Sequence, residues 1–73
     1  MTQTQALLMA RWAARGFGCA VVNEDSAAET MGEAYMQRAW ALCQAAGCSK
    51  AEYLAAQDAG FDDAGLEPVG VTA

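Results

Sequence analysis

Apolar and polar residues recur along this chain with the period of an α-helix in three separate stretches. In the longest, Ser26 to Gly47, setting residues at roughly 100° each, as an ideal helix requires, gathers ten of them on one arc. They are Met31, Leu42, Tyr35, Ala28, Ala46, Ala39, Gly32, Cys43, Met36 and Trp40. Such an arc is wider than a single core stripe. Ser26 with Glu29 three residues on is a capping box, in which the two side chains satisfy each other's free backbone donors. Gly47 stands where a left-handed residue commonly closes a helix. The pattern predicts one long helix over 26–47 on which the rest of the chain packs.

The first stretch, Thr2 to Arg15, is a shorter amphipathic helix with Leu8, Met9, Trp12 and Ala13 as its apolar face and a Thr2/Gln5 capping box. Arg11 and Arg15 lie four residues apart on the other side, and Gly16 is expected to end the helix. Gly16-Phe17-Gly18 reads as a turn and Cys19 to Val22 as a short extended piece. It is not a nucleotide loop, since no strand precedes it and the third glycine is missing. The third stretch opens with the Ser49/Glu52 capping box, draws its apolar contacts from Tyr53, Leu54 and Ala56, and closes at Gly60. Beyond it, Gly65, Pro68 and Gly70 oppose helix. An extended tail over 62–73 is expected, with Val69 and Val71 placed to pair with Cys19–Val22. The fold class is therefore all-α: a three-helix domain (short, long, short) over 1–61 and an extended C-terminal tail over 62–73.

Composition narrows the functions. Seventy-three residues is near the lower limit for a core without a staple, so oligomerisation would help. A net charge of −5 opposes attraction to phosphate backbones and anionic membranes, which makes nucleic acid and lipid surfaces poor partners and basic protein surfaces better ones. The N-terminal segment lacks a basic lead-in and Arg11 interrupts its apolar run, so a cytoplasmic protein with reduced Cys19, Cys43 and Cys48 is expected. No metal site or cofactor is expected. The sequence has no histidine, and the cysteine spacing matches no zinc pattern. A nucleophile would lack its usual base. Glu29 and Glu33, one turn apart, fall on a wet face where burial does not raise a carboxylate pKa. The chain is expected not to be an enzyme.

What remains is binding. In the long helix Gly32, Ala39 and Ala46 are spaced a heptad apart and permit close approach of a second backbone. One flank (Met31, Tyr35, Leu42) is expected to cover the protein's own core. The other, Met36, Trp40 and Cys43, is left for a second copy or another protein, because aromatic and Met side chains are enriched at interface centres. A homodimer is expected. The acidic residues Asp58, Asp62, Asp63 and Glu67 form a candidate patch for a basic partner. The reading is a small acidic protein-protein interaction module, an inhibitor or adaptor of the kind phage and mobile elements direct at host complexes. The alternative rests on Leu42 to Leu54, which resembles a helix-turn-helix corner: a small residue, Cys43, four before a turn glycine, then a Ser49 cap. That resemblance implies a DNA-binding regulator, but the second helix carries Lys50 and Gln57 beside Glu52 and Asp58, too little positive charge for a duplex.

Overall fold

A computed structural model describes residues 1–66 and gives them an all-α fold. Its three helices are α1 (Gln3–Val22), α2 (Ser26–Ala45) and α3 (Lys50–Asp63). The described residues contain no strand, and no helix among them is long and apolar enough to cross a membrane. Lengths of 20, 20 and 14 residues replace the expected short, long, short order, because α1 does not stop at Gly16. Gly16 and Gly18 are both helical, and Cys19–Val22 is the last turn of α1 rather than an extended piece. The expected partners of that piece, Val69 and Val71, lie outside the described residues.

Tertiary contact is what carries the helix through two poor helix formers. A glycine costs about 1 kcal/mol against alanine in a helix interior, but Phe17 between the two packs on Phe61 with ring centroids 6.2 Å apart. Gly18 is buried at the place where Ala64 and Leu66 fold back on α1. Gly60, expected to cap α3, is likewise interior, and the helix runs on to Asp63.

The centre of the fold is α1, not α2. α1 packs closely against both other helices, whereas α2 and α3 meet through side chains, chiefly Trp40 and Tyr53, rather than along their backbones, and the body measures 33 × 29 × 14 Å. Glycines set the two crossings. A β-carbon on Gly32 would lie 2.8 Å from the Phe17 Cα, so α2 rides directly on the α1 backbone there. One on Gly60 would clash with the Arg11 carbonyl oxygen and stand 2.7 Å from the Ala14 Cβ and 2.9 Å from the Arg15 nitrogen. With Ala6, Ala10 and Ala14 buried along α1, both crossings are made by small residues. The largest fully buried side chain is Cys43.

Each helix ends the same way. In the Schellman arrangement the second residue past the helix cap donates back to a carbonyl five residues earlier. Here Asp25 donates to Ala20 (3.0 Å), Cys48 to Cys43 (2.9 Å) and Leu66 to Phe61 (3.0 Å). Gly47 and Gly65 supply the left-handed residue with φ of 85° and 86°, but at the first end Glu24 does so with φ 54°. Asp25 then caps α2, its Oδ1 accepting from the Ala28 N–H at 3.1 Å. The expected Ser26/Glu29 box is not formed, because the shared residue Asp25 already closes α1 and opens α2. The Thr2/Gln5 and Ser49/Glu52 boxes are both present.

Two carboxylates are held below their ordinary range: Glu52 by the backbone N–H and hydroxyl of Ser49, and Asp63 by the Arg11 guanidinium, which donates two hydrogen bonds at 2.7 and 2.9 Å. A lowered folded pKa contributes stability above the unfolded value and loses it as pH falls through the folded one. The midpoint of urea unfolding should therefore hold near neutrality and decline once pH drops below the ordinary values of 4.5 and 3.8. The double variant Glu52→Gln, Asp63→Asn should show a shallower decline.

The glycines make a paired prediction. Gly60→Ala should lower stability by about 1–3 kcal/mol through overpacking against α1. Gly16→Ala, with nothing within 4 Å of the added carbon, should raise it by about 0.5–1 kcal/mol. Denaturant midpoints of the two variants check both signs.

Candidate functional site

Because small residues occupy the crossings, the large ones are displaced to the surface. On α1, Ala6, Ala10, Ala14 and Gly18 recur every four residues and face inward, and this turns Leu8 and Trp12 outward. Trp12 is 61% exposed. On α2, Gly32, Ala39 and Cys43 face α1, and the residues on one side of that line, Met31 and Tyr35, are 59% and 51% exposed. Met9 and Trp12 of α1 with Tyr35 and Leu42 of α2 border an open apolar groove of about 310 Å³, floored by Ala13 and Ala39. Arg38 stands at its edge with its guanidinium 5.9 Å from the centroid of the Tyr35 ring.

The other side of α2 is partly covered by α3. Trp40 packs on Tyr53 of α3 with centroids 4.9 Å apart, and the Tyr53 hydroxyl donates to the Met36 carbonyl oxygen at 3.2 Å. A second open hollow of about 310 Å³ remains there, lined by Glu33, Met36, Gln37, Trp40, Lys50 and Tyr53. Burial raises the Cys43 thiol above its ordinary pKa, as does the neighbouring Cys48, and burial with Cys43 nearby raises the Tyr53 phenol. Both raised groups stay neutral at physiological pH, and Cys43, Cys48 and Tyr53 all belong to the core.

The residues singled out in the sequence are thus divided among different environments. Gly32, Ala39 and Cys43 are buried under α1 of the same chain, and Ala46 packs against that cluster from its margin. Their line of close approach is occupied within the monomer. Met36 and Trp40 are half-buried beside Tyr53. The flank expected to cover the core, Met31 and Tyr35, is the open one. Asp58 and Asp62 share an exposed face of α3, whereas Asp63 is turned to Arg11. Glu67 lies outside the described residues. The groove residues Met9, Trp12 and Arg38 were not singled out as a surface. The four-residue recurrence of Ala and Gly in α1 is the signal that locates them, since it marks the face opposite Trp12.

The corner between α2 and α3 forms as the helix-turn-helix resemblance implies, with Gly47 left-handed and Ser49 capping α3. Its second helix exposes Lys50, Glu52, Asp58 and Asp62. Among the described residues no group of three or more Cys, Asp or Glu is placed to hold a metal ion.

The two tryptophans should respond oppositely to truncation. Trp40→Ala should cost about 2–4 kcal/mol by opening a void beside Tyr53. Trp12→Ala should stay within about 0.5 kcal/mol, as surface changes do. Thermal unfolding monitored by far-ultraviolet circular dichroism separates them.

No protein-family model matches the chain, and neither a curated protein nor a solved structure is significantly similar to it.

Proposed function

We propose that this chain acts without catalysis, by stoichiometric binding to a protein surface, in the manner of an inhibitor or adaptor. The observation that carries this reading is the inversion of side-chain size. Among the described residues no side chain larger than that of Cys43 is fully buried, while Trp12, Met31 and Tyr35 are more than half exposed on one side of the molecule. Contiguous exposed apolar patches mark interaction surfaces, and aromatic, Met and Arg side chains are the types enriched at interface centres. Trp12, Tyr35, Met9 and Arg38 supply all of these around one groove.

The acidic exterior favours a basic protein over nucleic acid as the further target. Asp58 and Asp62 on α3, with Glu24, Asp25 and Glu33 around the start of α2, are exposed, and such charge steers encounter with a surface of opposite sign. The free thiols of Cys19, Cys43 and Cys48 fit a reducing, cytoplasmic setting. A duplex would need several cations on α3, which carries Lys50 alone.

The test is capture from nuclease-treated lysate by the immobilised chain, with Trp12→Lys as the comparison. A defined protein retained by the wild type and lost by a folded Trp12→Lys variant is the expected result. Retention of DNA from untreated lysate, with no protein retained after nuclease, would replace this reading by the helix-turn-helix one.

A further inference from the structure

The corner that joins α2 to α3 carries two of the three cysteines, and the backbone itself brings them together. Cys43 and Cys48 are the two ends of the hydrogen bond that closes α2, the Cys48 N–H donating to the Cys43 carbonyl oxygen at 2.9 Å. Covalent geometry then keeps their α-carbons no more than about 6.8 Å apart, which meets the upper limit for a disulfide. Side chains at these two positions of the turn commonly touch, and elsewhere an apolar pair fills them. Here both are thiols. They are free and belong to one buried cluster, and the Cys48 thiol is close enough to act on that of Cys43 by charge and by hydrogen bonding. Their access differs: Cys43 has no exposed surface, while Cys48 is 8% exposed, its Sγ 3.9 Å from the Gln3 carbonyl oxygen. Cys48 is therefore the thiol that an incoming reagent meets first.

We propose that Cys43 and Cys48 are a dithiol that a small disulfide of the glutathione class closes into an intrachain bridge, a redox clasp on the corner between α2 and α3. The Cys48 thiolate attacks one sulfur of the small disulfide and expels the other as a thiolate, leaving a mixed disulfide. The Cys43 thiolate then attacks the Cys48 sulfur and expels the second small thiolate. The two protons given up by the cysteines go to the two released thiolates, so one disulfide is reduced as another forms. Closure removes the Cys48 S–H contact with Gln3, but the Gln3 Nε2 still donates to the Gly47 carbonyl oxygen at 3.2 Å, and α1 keeps its hold on the corner. Cys19 lies toward the other end of α1 and takes no part.

In the test, the reduced full chain is equilibrated in native, oxygen-free buffer with glutathione of increasing oxidised fraction, quenched in acid, alkylated and mapped by peptide mass. The expected product is a Cys43–Cys48 bridge that reduced glutathione reopens, with Cys19 outside it. Denaturant midpoints of the oxidised and reduced wild type supply a second readout that needs no variant. Closing the loop over 43–48 should lower the unfolding constant by roughly 40-fold, the entropic effect of so short a loop. With Cys43→Ala, Cys48 should stop as the mixed disulfide. Should that variant not fold, Cys48→Ala replaces it and should leave Cys43 a free thiol at the same glutathione ratio. Both cysteines staying as thiols in native buffer, wild-type Cys48 stopping at the mixed disulfide, or a bridge that forms only in denaturant overturns the clasp. A bridged chain no more stable than the reduced one overturns it as well, because the native corner would then not accept the bond.

Discussion

The close approach of α2 and α3 to the backbone of α1 is the constraint from which the other features follow. Gly60 lies against the Arg11 carbonyl and Ala14, and Gly32 lies against Phe17, so neither crossing has room for a larger residue. Helices that approach this closely must meet through Gly and Ala, and the buried set is accordingly Ala6, Ala10, Ala14, Ala20 and Ala39 with Cys43 and Cys48, joined by one large side chain, Tyr53 of α3. A core of this kind gains contact area from backbone and methyl groups rather than from branched or aromatic side chains. Apart from Tyr53 the bulky residues are then kept at its margin or outside it by geometry rather than by polarity.

That exclusion links the packing to the proposed function. Trp40 finds cover because Tyr53 stands over it on α3. Trp12 has no such neighbour, because α2 and α3 occupy the opposite side of α1. The same arrangement that joins three helices through one central element leaves a hydrophobic face bordered by Met9, Tyr35 and Leu42. Electrostatics sharpens the division: the carboxylates cluster around the start of α2, at the start of α3, where Glu52 suits the helix dipole, and along the rest of α3, and none lines the groove. Adhesive and repulsive surfaces are thereby separated on one small body.

Helix ends supply the remaining definition. All three terminate in the same backbone arrangement, and two of the three use the glycine expected of it. At Asn23–Asp25 the turn is so short that one residue closes α1 and opens α2, which places Glu24 in a left-handed conformation. A non-glycine residue rarely adopts it. The connection holds because Asp25 satisfies donors and acceptors on both sides.

The sequence by itself determined the number of helices, the caps at Thr2 and Ser49, and the stop at Gly47, whereas the cap of α2 falls on Asp25 and not on the expected Ser26. These depend on interactions within a few residues, which local chemistry specifies. It also marked both faces of α2, since a period of about 3.6 residues is a property of one helix. It did not reveal that α1 continues through Gly16 and Gly18, that α3 continues through Gly60, or which flank of α2 remains open. A glycine that ends a helix and one that admits another backbone look alike in a sequence. Only the tertiary structure distinguishes them, because the free energy that keeps the chain helical at Gly18 and Gly60 comes from residues as distant as Ala64 and Arg11. For the same reason Trp12 and Trp40, both on apolar arcs, have opposite fates: which one is covered depends on where α3 docks, and α1 decides that.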